Sequence, residues 1–177
     1  MHSRHFITIC QKKYFSFVTE TVTLLVNGHP WSGRGKIEII KENCETKVCS
    51  QMPDYPLEVN AVAGSNWKDG KFTICGGYNA SYQVSECYLM KNRKWKFSGK
   101  LKTARSAHGA SNIGNSIWIT GGLSNNDRLA STEIVHSDGK MTPGPDLPQA
   151  RSSHCQISYE QSTFIIGNCI SLPILWI

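Results

Sequence analysis

Two Arg-x-x-His stretches, Arg105 with His108 and Arg151 with His154, set a permanent cation three residues before an imidazole. Histidine titrates between pH 5 and 8 when unperturbed, so it is the first candidate for acid–base work or metal binding. The two stretches stand 46 residues apart, however. A residue that recurs once per repeat reads as structural, with ligand binding the alternative, because repeats place equivalent residues equivalently. The other histidines, at 2, 5, 29 and 136, form no His-x-x-x-His pair. Glu38, Glu86 and Glu133 follow at intervals of 48 and 47 residues and read as one repeated position, pairing with backbone or arginine. Gly33-Arg34-Gly35 lacks the last glycine of a dinucleotide loop and runs into Lys36-Ile37-Glu38, so it reads as a turn. Neither a P-loop nor a Gly-x-Ser-x-Gly elbow occurs. The pattern points away from an enzyme, and no catalytic, cofactor or metal set is assigned.

Cysteine usage leaves two readings open. The seven cysteines are at 10, 44, 49, 75, 87, 155 and 169, and Cys44 and Cys49 have no partners at zinc-site spacing. Cys75 and Cys87 belong to one unit, on strands joined by a hairpin at 77–84. The matching positions hold Thr120 and Ile134 in the next unit and Asn27 and Ile39 in the one before, so the two cysteines are present or absent together. Facing each other across an antiparallel pair, they would meet the Cα separation of under about 7 Å that a disulfide needs. Two buried thiols fit the same pattern. Asn79-Ala80-Ser81, between them, is an N-glycosylation sequon. Disulfide and sequon favour an oxidising, extracellular setting. The weak N-terminal signal, with Arg4, Lys12 and Lys13 around a short apolar run at 6–10, favours the cytoplasm.

The elements that must position these residues repeat. Phe72-Thr73-Ile74-Cys75-Gly76-Gly77 returns as Ile117-Trp118-Ile119-Thr120-Gly121-Gly122, and again as Phe164-Ile165-Ile166-Gly167 with Asn168 after it. Leu24-Leu25-Val26-Asn27-Gly28 is a worn earlier copy. A fixed period of about 40–50 residues marks a repeat architecture. Short apolar runs bounded by Gly, Asn and Pro read as strands, about four per unit. No long amphipathic helical spacing occurs.

Gly76-Gly77, followed by Tyr88 and then Trp95 seven residues later, resembles the kelch repeat. The second unit keeps Gly121-Gly122, with Val135 at the Tyr position and Met141 near the Trp position. The resemblance covers roughly residues 20–168 and is strongest over 56–167. It implies an all-β fold, an incomplete kelch-type β-propeller of about two full four-stranded blades with partial flanking blades. The implied units are a degenerate 20–52, then 53–98, 99–144 and a truncated 145–168, flanked by an irregular 1–19 and a non-repeat apolar tail at 169–177. In such blades the glycines would end an inner strand, and Tyr88 and Trp95 would pack between adjacent blades. Kelch-type blades also form the central domain of copper oxidases resembling galactose oxidase, but their Tyr/His copper site finds no match here.

Length and charge set further bounds. Propellers typically have 4–8 blades, and 177 residues hold fewer than four units of 46. An open arc of blades would leave apolar faces in water, which predicts instability or self-association. The apolar tail is shorter than the roughly 20 residues a membrane span needs. Net charge is +6. Lys91, Arg93, Lys94, Lys96, Lys100 and Lys102 cluster around Trp95 and Phe97, and read as edge-guarding cations rather than a nucleic-acid face. The resemblance implies a non-catalytic protein-interaction scaffold. Its contact loops are 78–83 and 123–130, with Tyr78, Asn79, Tyr82, Asn125, Asn126, Asp127 and Arg128 as contact residues. The resemblance also admits a substrate-recognition part of a cullin-type ubiquitin ligase, an actin-associated kelch protein, or an extracellular adhesion or receptor-like segment.

Overall fold

The computed structural model describes residues 53–67 and 69–167, together with the backbone of four N-terminal strands. Those strands, β1 (Thr8–Gln11), β2 (Tyr14–Thr19), β3 (Val22–Asn27) and β4 (Ile37–Lys41), form one sheet in chain order. β1 and β2 therefore fall inside segment 1–19, where the sequence suggested no regular element, and the worn copy at 24–28 overlaps β3. Cys10, Cys44, Cys49, Cys169, the 33–35 turn and the 169–177 tail carry no further description.

A second four-stranded sheet contains β5 (Ala63–Asn66), β6 (Phe72–Cys75), β7 (Glu86–Lys91) and β8 (Lys94–Lys100) in that order. The third is built from β9 (Gly109–Ile113), β10 (Ser116–Thr120), β13 (Thr132–His136) and β14 (Met141–Pro143), ordered β9-β10-β13-β14. Its long connection carries a small hairpin, β11 (Leu123–Ser124) with β12 (Asp127–Arg128). Finally β15 (Cys155–Tyr159) pairs with β16 (Ser162–Ile166). The protein is all-β among the described residues, every strand pair being antiparallel.

The strands follow from their residues. β6 is Phe-Thr-Ile-Cys, all four buried. Aromatic and β-branched side chains suit a pleated surface packed on both sides. Side chains alternate faces with a period of two. Phe72 and Ile74 therefore join Tyr55, Val59, Val62, Val84 and Met90 on one face. Cys75 joins Ala63, Cys87, Leu101, Ala110, Ile117, Ile119 and Val135 on the other, between the second and third sheets. β9 runs beside β5, and β15 beside β9.

The interface between β9-β10 and β15-β16 differs in kind. Gln156 Nε2 donates to Ser111 Oγ at 2.8 Å and to the Trp118 carbonyl at 3.2 Å. Ser158 Oγ donates to Ser111 Oγ at 2.7 Å and lies 3.0 Å from Thr163 Oγ1. Thr120 Oγ1 donates to Gln156 Oε1 at 2.6 Å. Buried polar groups are tolerable here because they satisfy one another.

Register corrects three sequence alignments. Gly76 N–H donates to the Glu86 carbonyl and Gly121 N–H to the Ser131 carbonyl. Glu86 therefore corresponds to Ser131, not to Glu133. Glu133 lies opposite Ile119, as Tyr88 lies opposite Ile74. Tyr88 thus corresponds to Glu133 rather than to Val135. By the same register Cys75 opposite Cys87 matches Thr120 opposite Thr132, so Ile134 is not the equivalent of Cys87. Trp95, opposite Met90, does match Met141, opposite Val135.

Candidate functional site

The loops that follow the glycine doublets share one rim. In the first, Tyr78 pairs with Asn60 through both backbone bonds, 2.9 and 3.0 Å. Asn79 Oδ1 accepts the Ser81 N–H at 3.1 Å and the Tyr82 N–H at 3.0 Å, closing a tight Asx turn. Tyr82 stands outward, 61% exposed. In the second, Asn125 and Asn126 take φ of 49° and 71°, the left-handed pair that a two-residue hairpin turn requires and Asn tolerates. Asn125, Asn126, Asp127 and Arg128 are exposed. The Asn125 N–H donates to Gln83 Oε1 at 3.3 Å, joining one loop tip to the other.

The glycines anchor these loops to the following unit. Gly77 N–H donates to the Arg105 carbonyl and Gly122 N–H to the Arg151 carbonyl, both at 2.8 Å. Gly76 and Gly121 have φ of 64° and 55°. A Cβ at Gly76 would lie 2.5 Å from the Arg105 carbonyl oxygen, and one at Gly121 would lie 2.5 Å from the Arg151 carbonyl oxygen. The doublet is thus a close backbone approach that only glycine allows. A second set of contacts was hidden in the sequence. Ala61, Ala107 and Ser153 all adopt φ between 51° and 53° at a spacing of 46 residues. Ala107 N–H donates to the Ala61 carbonyl and Ser153 N–H to the Ala107 carbonyl, a ladder running from unit to unit.

The Arg-x-x-His residues stand beneath the rim. Arg105 is fully buried. Its Nη2 contacts Glu133 Oε1 at 2.8 Å, and its Nη1 donates to the Gly121 and Ser131 carbonyls. Glu133 in turn accepts the Lys102 and Thr103 N–H groups. Every charged atom of the pair is hydrogen-bonded, the condition under which a buried ion pair is tolerable. Arg151 is half-buried and makes no ion pair among the described residues. His108 is buried, and a backbone contact with Cys75 only partly offsets the burial of its ring. Burial, reinforced by Arg105 and His154, pushes its pKa down to about 3. His154 sits 2.9 Å from Thr120 Oγ1 through Nε2. Since Thr120 gives its proton to Gln156, His154 Nε2 is the donor there. Burial and then Arg151 lower its pKa to about 4.

The remaining predicted positions lie elsewhere. Tyr88 and Trp95 pack on the face of the second sheet that points away from the third. Trp95 meets Tyr55 and Phe72 edge-on at 5.0 and 5.3 Å, and its Nε1 donates to the Pro53 carbonyl. Cys75 and Cys87 are joined by a disulfide, with Cα atoms 4.1 Å apart and both residues fully buried. Their sheet brackets the first loop.

No group of three or more His, Cys, Asp or Glu stands together among the described residues. A cleft of about 120 Å³ opens between Trp67, Lys71, Leu89 and His136. That is below the range of about 300–1,000 Å³ typical of small-molecule sites. His136 there is engaged on both nitrogens, by Ser116 and by Thr142. No helix among the described residues is long and apolar enough to cross a membrane.

Comparison with known proteins gives two distant relatives. Over 108 residues, 56% of the chain, it is 27% identical to Spermatocyte protein spe-26 of Caenorhabditis elegans. Over 99 residues, 50% of the chain, it is 29% identical to Beta-scruin of Limulus polyphemus, a kelch-repeat protein. The aligned segments span 19% and 11% of the lengths of those relatives. No protein-family model matches.

Proposed function

We propose that this chain is a kelch-type, non-catalytic protein-interaction module, an incomplete propeller whose units are 20–52, 53–98, 99–144 and 145–168. It holds its partner at the rim formed by loops 78–83 and 123–130. The observation that carries this reading is the Asn125–Gln83 hydrogen bond, which ties two exposed tips from successive units into one surface. Loops on a rigid scaffold are where binding residues concentrate. The framework below is rigid by construction, since each loop begins at a glycine bonded to the next unit. Tyr78, Asn79, Tyr82, Asn125, Asn126, Asp127 and Arg128 are the contact residues. The distant similarity to Beta-scruin supports the kelch-type reading.

A second reading, an extracellular adhesion or receptor-like kelch segment, is favoured by the Cys75–Cys87 disulfide.

The test is site-specific photo-crosslinking in cells that make the protein. A crosslinker at position 82 or 126 is expected to capture the same macromolecule, and excess unlabelled chain is expected to compete. The control position is 138, in the exposed turn before β14. Equal capture from all three positions, or capture from 138 alone, overturns the reading.

A further inference from the structure

We propose that Asn79 is an N-glycan acceptor, modified by a membrane-bound transferase that uses a polyprenyl-pyrophosphate-linked oligosaccharide. The sequence supplies Asn79-Ala80-Ser81, and the structure supplies the setting such a triplet needs. Ala80, Ser81 and Tyr82 are exposed, and Asn79 is half-exposed. A large hydrophilic adduct at this tip therefore displaces no core side chain. Asn79 Oδ1 is held by the Ser81 and Tyr82 N–H groups. Its Nδ2 makes no hydrogen bond among the described residues and is the atom left to react.

The step balances without any redox partner. Asn79 Nδ2 forms a bond to the anomeric carbon of the oligosaccharide. The bond from that carbon to the pyrophosphate oxygen breaks, and the polyprenyl pyrophosphate leaves with the electron pair. The amide nitrogen gives up one proton to the transferase or solvent.

The disulfide is the independent observation. Cys75 and Cys87 flank this loop on both sides and are bonded to each other. A buried structural disulfide forms and persists in the same oxidising compartment where sequons are glycosylated. The two features belong to one unit, and neither has a counterpart in the next. There the cysteine positions hold Thr120 and Thr132, and the loop tip is Asn125-Asn126-Asp127, followed by Arg128. A glycan on Asn79 would stand beside Tyr82 and, under the proposed function, would form part of the surface the partner meets.

The decisive experiment is peptide mass mapping of the full-length protein isolated from its own cells. The peptide carrying Asn79 is expected to bear a hexosamine-linked glycan, and amidase treatment in heavy-oxygen water is expected to mark Asn79 as labelled aspartate. Secretory expression of variants supplies the second arm, read on total cell lysate because transfer precedes export. Asn79→Gln, Ala80→Pro and Ser81→Ala are expected to abolish the mobility shift, and Ser81→Thr to retain it. An unmodified Asn79 in the native protein overturns the proposal, as does a shift that survives Asn79→Gln. Crosslinking from positions 82 and 126 reads partner binding separately, so either idea can fail alone.

Discussion

Gly76 and His108 touch across the boundary between successive units. A Cβ at Gly76 would lie 2.8 Å from His108 Cε1 and 2.5 Å from the Arg105 carbonyl oxygen. The next unit repeats the relationship, since a Cβ at Gly121 would lie 3.1 Å from His154 Cε1. The glycine and the histidine recur at one period because each is the other's neighbour. The imidazole fills the space that a side chain on the glycine would take.

Gly76→Ala therefore meets two penalties. Its φ of 64° is left-handed, and the nearest obstacle is backbone that cannot swing away. Strain and overpacking together should cost roughly 2–4 kcal/mol. Gly114→Ala is the control, because φ there is 60° but nothing lies within 4 Å of the added carbon. It should cost only about 1 kcal/mol. Urea unfolding of both variants measures the difference. Equal costs would mean that φ alone, and not the contact with the next unit, demands glycine.

The Arg105–Glu133 pair sets up a second contrast. Arg105→Leu leaves a buried carboxylate facing apolar surroundings, along with the Gly121 and Ser131 carbonyls that Nη1 had satisfied. Removing one partner of such a pair costs roughly 3–5 kcal/mol. Arg151→Leu, at a half-buried position with no ion pair among the described residues, should cost under about 1 kcal/mol. Denaturant midpoints for the two substitutions check this ordering, and a reversed order would remove Arg105 as the anchor of its unit.

The histidines predict an acid limit. Both folded-state pKa values, about 3 for His108 and about 4 for His154, lie below the unfolded value near 6.5. The unfolded chain then binds protons that the folded chain refuses, so stability falls as pH drops below about 6.5. The loss continues until the folded pKa values are reached, near 4 and 3. Between pH 6.5 and 5 each histidine should remove roughly 2 kcal/mol. Thermal melts from pH 7 to 5 should show a drop that His108→Leu roughly halves. A flat profile would mean that the imidazoles take up protons without unfolding.

The repeat was legible because glycine doublets and strand-forming runs are chemical requirements of each unit. The contacts between units were not. Ala61, Ala107 and Ser153 take a left-handed conformation without any residue type that signals it. The ladder they form exists only once neighbouring units are stacked. Glu86 and Glu133 look equivalent by identity, yet hydrogen-bond register, not letter matching, sets equivalence in a sheet. Turn length also shifts the period. The β7–β8 turn is Asn92-Arg93, whereas the one before β14 is Ser137-Asp138-Gly139, and that extra residue moves the spacing from 45 to 46. The two loop tips could be read as exposed polar segments, but the bond from Asn125 to Gln83 that unites them joins residues 42 apart.

The outward face of β15–β16 gives the last prediction. Phe164 and Ile166 are 45% and 50% exposed, and they lie opposite Ile157 and Cys155 on one face of a two-stranded sheet. The corresponding face of the third sheet, carrying Ser111 and Thr120, is covered by β15–β16 itself through the Gln156 network. Apolar surface left exposed on the face of a repeat sheet drives association in water. The isolated chain should therefore self-associate with rising concentration. Phe164→Lys with Ile166→Lys should shift it towards monomer. The sites are exposed, so the folding midpoint should move by no more than about 0.5 kcal/mol per substitution. Light scattering across a concentration series reads the mass directly. If the wild-type chain stays monomeric at every concentration, or the lysine variant associates just as strongly, this face is not what brings copies together.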